Sequence, residues 1–280
     1  MDDLGLRRAI YYRLSPRWRR RARRLAFAPL DAVAALRGGH TYNGIRLPLR
    51  GEIFTGGGDF LAVGLRFRAH FQELGGLRPS DDVLEVGSGQ GRMAIPLTDY
   101  LSAAGSYVGF DIVPSAVDDC RQRISTRYPA FRFIHLPVAN DLYTDDGLTA
   151  ASVTFPFDDD AFDFAFATSV FSHMEPAAIE TYLRETRRVL RPGGRFLATL
   201  FLMDDEAERT STSSHFRFPH REGDAFYMTL RPRSANVAII PEAFAAMASQ
   251  TGWANVETHP GSWSGRSGPT LDYQDIVVLG

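Results

Sequence analysis

The 280-residue chain contains one cysteine, no lysine and no run of apolar residues long enough to span a bilayer. A single thiol, Cys120, excludes a disulfide framework within the chain and any multi-cysteine metal site, and it fits a reducing, cytoplasmic setting. The apolar runs stop short of the roughly 18 residues that a transmembrane helix needs. All 31 basic residues are arginine, and nine of them fall in the first 24 positions against only Asp2 and Asp3. The net charge of −2 therefore divides into +7 for this arm and −9 for the remainder. Interleaved with Tyr11, Tyr12, Leu14, Trp18 and Leu25, such an arm suits an anionic membrane surface, nucleic acid, or the acidic body of its own or a partner subunit. Leu25 to Leu36 is apolar enough for a secretory signal, but Pro29 and Asp31 interrupt it and no clean cleavage site follows. A chain of 31.1 kDa with 44% hydrophobic residues suits one large α/β domain with its own extensions.

A third glycine is also missing where a dinucleotide site would need it. Residues 83–91 read Val-Leu-Glu-Val-Gly-Ser-Gly-Gln-Gly, a short apolar strand entering a glycine turn, with Glu85 two positions before the first glycine. A G-x-G-x-x-G fingerprint would place its last glycine at position 92, which is Arg92 here. This disfavours a pyrophosphate-bearing nicotinamide cofactor. Twenty residues after Gly91, Tyr107-Val108-Gly109-Phe110-Asp111 reads as a second strand ending in an acid, at a distance that suits a carboxylate gripping ribose hydroxyls. FPFDDDAFDFAFATSVFSHMEP from Phe155 and LRETRRVLRPGGRFLATLF from Leu183 follow in order.

Together these segments resemble the motifs of class I S-adenosylmethionine (SAM) dependent methyltransferases, over roughly residues 80–202. The resemblance implies a doubly wound, seven-stranded, mostly parallel sheet of order 3-2-1-4-5-7-6, with strand 7 antiparallel and an N-terminal helical extension. It implies three regions: a basic arm (1–38), a cap over the cofactor cleft (39–78), and a SAM-binding domain (79–280) with a lid insertion at 203–236. It also implies SAM as cofactor, held by Glu85, Gly87, Ser88, Gly89, Gly91, Arg92, Asp111 and Ile112, with Ser169 and Phe171 after the fourth strand. The third strand departs from the family pattern. Where an acid is common, the chain has Pro137-Val138-Ala139-Asn140, which leaves the adenine to Val138, Ala139 or Asn140.

Local patterns supply the helices. Asp59 can cap a helix carrying Phe60, Leu61, Phe67, Phe71 and Leu74, ended at Gly75-Gly76. Further helices are expected at Arg92–Ser102, Ser115–Tyr128, from Pro176, and at Ile240–Gly252, with strands at Phe131–Leu136 and around Val256 and Ile276.

Methyl transfer from a sulfonium is an in-line displacement needing neither metal nor covalent nucleophile, so the protein must align the reactants and exclude water. His173 is a candidate general base, because a near-neutral imidazole can take a proton from the acceptor; it can equally cap the helix at Pro176. Phe54, Asp59, His215, His220, Tyr227 and Trp263 are candidates for contact with a small-molecule acceptor, a hydroxyl being preferred in a sugar, polyketide or lipid-like molecule. Nucleic acid is not the expected target, because no NPPY-type tetrapeptide follows the fourth strand and the body is acidic. A SAM-binding sensor or scaffold without catalysis is the competing class.

Overall fold

The computed structural model describes residues 15–36, 38–54, 56–143, 147–211 and 216–280. In chain order the elements are α1 Pro16–Leu36; a small hairpin of β1 Thr41–Tyr42 and β2 Ile45–Arg46; α2 Phe60–Glu73; β3 Asp82–Val86; α3 Ala94–Leu97; and β4 Ser106–Asp111. There follow α4 Pro114–Cys120, β5 Phe131–His135, β6 Val138–Ala139, β7 Leu148–Thr149, β8 Phe162–Ala167, α5 Pro176–Val189 and β9 Leu190–Leu202. The chain continues through α6 Asp205–Thr210, β10 His220–Glu222, β11 Ala225–Tyr227, β12 Val237–Ile239, α7 Pro241–Gln250, β13 Val256–His259 and β14 Asp275–Leu279.

The central sheet pairs β3 with β4 and β8 in parallel, β4 with β5, and β8 with β9. β14 runs antiparallel to β9 and carries β13 on its other edge. Strands buried on both faces must be apolar at nearly every position, as β8 and β14 are. On β8, Ala165 and Ala167 face the core under α5 and α7, while Phe164 and Phe166 face the core under α2. β14 divides the same way, Val277 and Leu279 to one side and Ile276 and Val278 to the other. α2 starts at an Asp59 cap, whose carboxylate accepts from the Ala62 amide at 2.8 Å, and buries Phe67 and Phe71. The Phe71 ring stacks on Phe166 with centroids 4.2 Å apart.

Two helices differ from expectation. Arg92–Ser102 keeps one helical turn, α3, because Pro96 cannot donate and the chain beyond closes in short turns, with the Thr98 hydroxyl bonded back to the Ile95 carbonyl. Ser115–Tyr128 is α-helical only to Cys120, and Arg121–Ser125 widens to a π-turn.

Among the described residues the sheet holds ten strands where seven were expected. Two of the extra three, β10 and β11, come from the segment expected as a lid, 203–236, and β12 follows directly after it. β10 and β11 form a hairpin, β11 pairs with β12, and β12 adds in parallel to the end of β9 at Phe201 and Leu202. Ala225, Phe226 and Tyr227 are buried as a result, and Phe218, Phe226 and Trp263 build a third apolar cluster on Phe201.

Candidate functional site

The carboxyl ends of β3, β4 and β8 open into a cavity of about 940 Å³, at the upper end of the size range of ligand clefts. The glycine turn after β3 forms its floor. Gly87, Gly89 and Gly91 all adopt positive φ, of 76°, 49° and 75°. The Gly87 and Ser88 amides both donate to the Phe110 carbonyl at 2.9 Å, tying the turn to the end of β4. A β-carbon on Gly87 would lie 2.5 Å from Val170 Cγ2, so the glycine lets the loop after β8 close over the turn.

Asp111 secures the same turn from β4. Its carboxylate accepts from the Gly89 amide at 2.7 Å and from the Val113 amide at 2.8 Å. Burial raises its pKa, opposed by those amides. An ionised carboxylate has about four acceptor positions, so capacity remains for a ligand's hydroxyl. Glu85 lies one strand away, buried and accepting from the Tyr107 hydroxyl. Burial pushes its pKa well above the ordinary carboxylate range, the Tyr107 hydrogen bond opposes this, and nearby Asp111 adds to the rise.

His173 lines the cavity from the turn after β8. Its Nδ1 lies 2.8 Å from the Ser234 carbonyl, which can only accept, so Nδ1 carries the proton and Nε2 the lone pair. Burial lowers the imidazole pKa against the opposing pull of the Ser234 and Ala235 backbone, keeping the ring neutral. The ring thus bonds to the segment before β12, and Tyr143 meets it edge-on at 5.7 Å. Asn140 Nδ2 donates to the His173 carbonyl at 3.1 Å, joining the turn after β6 to the turn after β8.

Of the residues singled out from the sequence, Glu85, Gly87, Ser88, Gly89, Arg92, Asp111, Ile112, Asn140, Ser169, His173, Phe54 and Asp59 meet at this cavity. Ser169, at φ 58°, is held by its amide on the Thr199 hydroxyl and by its own hydroxyl on Gln274 Oε1. His215 lies outside the described residues.

Seven others lie off the cavity. A β-carbon on Gly91 would meet Ile124 Cδ1 at 2.6 Å, so this glycine serves turn-to-helix packing. Val138 and Ala139 pair with Leu148 and Thr149, and Phe171 is buried against Phe196 and Phe244. His220 is exposed on the outermost strand, β10. Tyr227 is buried with the Arg233 guanidinium 4.2 Å above its ring. Trp263 is 1% exposed and donates from Nε1 to Asp275 Oδ2 at 2.7 Å, helping to satisfy a buried carboxylate that also takes the Leu202 and Gly261 amides.

Sequence reasoning missed other wall residues, among them Arg19, Arg66, Tyr143, Ser172 and Asp272. Asp272 binds Arg66 through two nitrogens, at 2.7 and 3.2 Å, and His70 Nε2 at 3.3 Å, joining α2 to the loop before β14. Burial pushes Asp272 up, but the hydrogen bonds from His70 and Arg66 outweigh it and hold the carboxyl at about 2.

The site fits a SAM-sized polar guest. The hydroxyls of Ser88 and Ser172 are buried on this cavity without hydrogen-bond partners, and Asp111 has acceptor capacity left for a ribose. Among the described residues, no group of His, Cys, Asp and Glu is arranged to hold a metal.

Comparison with known families decides what this frame belongs to: residues 83–194 match the family model described as a methyltransferase domain. This segment matches a methyltransferase domain, carried on a Rossmann-like α/β fold. The domain is 35% identical over 114 residues to the probable phthiotriol/phenolphthiotriol dimycocerosates methyltransferase 2 of Mycobacterium ulcerans, over 41% of this chain and 37% of that protein. It is 29% identical over 120 residues to the demethylmenaquinone methyltransferase of Symbiobacterium thermophilum, over 43% and 42% respectively. The chain thus matches about two fifths of the length of these curated relatives. In fold, the methyltransferase domain and its flanks resemble the CcbJ methyltransferase from Streptomyces caelestis, with a TM-score of 0.51 at 17% identity, covering 77% of this chain and 88% of that one.

Proposed function

We propose that the protein transfers a methyl group from SAM to a hydroxyl of a small, partly apolar molecule, with His173 as general base. The carrying observation is that a neutral imidazole, its tautomer fixed by the Ser234 carbonyl, shares one cavity with the glycine turn and Asp111. When bound, SAM supplies an electrophilic methyl group on a sulfonium. The chain's own residues do the rest. Asp111 would hold the ribose hydroxyls, and the turn at Gly87–Gly89 lets the backbone approach closely. Ile112 and Val113 offer an apolar wall, and Ser88 and Ser172 offer unpaired hydroxyls. Nε2 of His173 would take the acceptor's proton as the new bond forms; an imidazole kept neutral by burial can do so at neutral pH. Leu142, Tyr143, Phe216 and Tyr273 on the remaining wall suit an acceptor with an apolar body. The relatives named for lipid-like and quinone-like substrates support this class of acceptor.

The test is incubation with methyl-labelled SAM and panels of hydroxylated sugars, polyketides and lipid-like alcohols. Label should appear in a hydroxylated small molecule. His173→Asn should lower kcat by about 100-fold or more while SAM affinity holds. Retained SAM binding with no label transferred to any acceptor would favour a non-catalytic SAM-binding protein.

A further inference from the structure

Helix α1 is built inside out. Its docked side carries charge: Arg19 is buried, and its Nη2 donates to the Leu142 carbonyl at 2.6 Å on the cavity wall. One turn on, Arg23 Nε donates to the Arg50 carbonyl at 3.1 Å. Two turns further, Asp31 accepts from the Arg50 and Gly51 amides at 3.0 and 2.9 Å. Residues 19, 23, 27, 31 and 34 thus face the protein at helical spacing, which leaves the opposite stripe of Trp18, Ala22, Leu25, Pro29, Ala32 and Leu36 to solvent. Trp18 is 60% exposed, Leu25 77% and Leu36 88%. Exposed apolar residues scattered singly need no explanation, but a stripe repeating over five turns of one helix does.

Charge identifies what covers it. Arg21 and Arg24 are exposed along one flank of the stripe, and the sequence places Arg7, Arg8 and Arg13 just ahead of it. The first 24 residues carry +7 and the rest of the chain −9. An anionic sheet of headgroups would attract the arm, repel the body and receive an apolar stripe rimmed by arginine. A second copy suits it less, because two such arms repel each other. Elsewhere, the large apolar residues exposed among those described are only Leu148, Leu230, Leu271 and Tyr273.

We propose that helix Pro16–Leu36 docks the protein in the plane of an anionic lipid surface, seating Trp18, Leu25 and Leu36 among the headgroups with Arg21 and Arg24 at the rim. Because Arg19 on the same helix lines the cavity, docking places the cleft beside the bilayer, where an amphiphilic acceptor would be found. No helix among the described residues is long and apolar enough to cross a membrane, so the contact is with the surface. The docking stands independently of the transfer reaction.

The test is co-sedimentation of the full chain with phosphatidylcholine vesicles, with and without phosphatidylglycerol, at low and high salt. Binding should require the anionic lipid and weaken with salt. It should fall by about fivefold for each of Arg21→Gln and Arg24→Gln, and by about tenfold or more for Leu25→Glu with Leu36→Glu. Trp253 and Trp263 are buried, so a vesicle-induced blue shift of tryptophan emission should come from Trp18 and vanish in Trp18→Phe. Calorimetric SAM binding and circular dichroism report whether each variant is folded. The proposal is overturned if the intact chain ignores anionic vesicles, or if the double glutamate variant binds them as well as the parent. It is equally overturned if sedimentation shows self-association that these substitutions abolish, without vesicle binding; the stripe is then an interface between copies.

Discussion

Gly87→Ala places the largest predicted effect on the smallest change of side chain. Gly87 sits at φ 76°, and the left-handed region costs an L-residue roughly 1–2 kcal/mol. Its new β-carbon would stand 2.5 Å from Val170 Cγ2, an overlap of the kind that costs roughly 1–3 kcal/mol in a packed region. The turn cannot easily slide away, because the Gly87 and Ser88 amides share the Phe110 carbonyl and the Gly89 amide is held by Asp111. The expected loss is about 2–5 kcal/mol, read as a fall in urea midpoint at unchanged slope. Val170→Ala removes only the overlap. In the double variant about 1–3 kcal/mol should return while the backbone cost remains, giving a coupling energy of that size in the mutant cycle. A Gly87→Ala protein within about 0.5 kcal/mol of the parent would refute the reasoning. A double variant no better than additive would refute the part of it that rests on Val170.

Two further outcomes depend on protonation. With the His173 pKa below the ordinary imidazole value, kcat against pH should be flat through neutrality and fall only below about pH 6.5 as the base is protonated; a profile already falling at pH 8 would contradict a neutral, buried ring. Asp272 has its folded pKa depressed, so its contribution to stability is fully present above the ordinary aspartate value and is lost as pH falls from near 4 towards about 2. Asp272→Asn should flatten the acid limb of the stability curve, measured as thermal midpoint against pH. An unchanged acid limb would mean that the link between Asp272, Arg66 and His70 adds nothing.

The frame around the cofactor turn was legible in the sequence because strands buried on both faces leave no choice of residue. VLEV, FAFA and FLATL can be little else than interior strands, and the glycine turn and LRPGG mark where they start and stop. The walls of the cleft were less legible. Asp272 reaches Arg66 across 206 positions of chain, and Arg19 reaches Leu142 across 123, so no local pattern could have paired them. Tyr227 and Trp263 carried the opposite difficulty. An aromatic residue in a polar, turn-rich stretch reads equally as substrate contact or core, and the added strands β10 to β12 put both into the core. Hairpin β10–β11 escaped notice because all three residues of β10 are exposed, which erases the alternation that marks a half-buried strand.

The cofactor site is tested most directly by calorimetric titration of SAM into the parent protein and into Asp111→Asn. One site per chain, with a dissociation constant in the range of about 1 µM to 1 mM typical of enzyme substrates, should weaken at least about tenfold in the variant, since the amide offers fewer acceptor positions to the ribose. No heat from the folded parent, or equal affinity in both proteins, would contradict the assignment of this cleft to SAM.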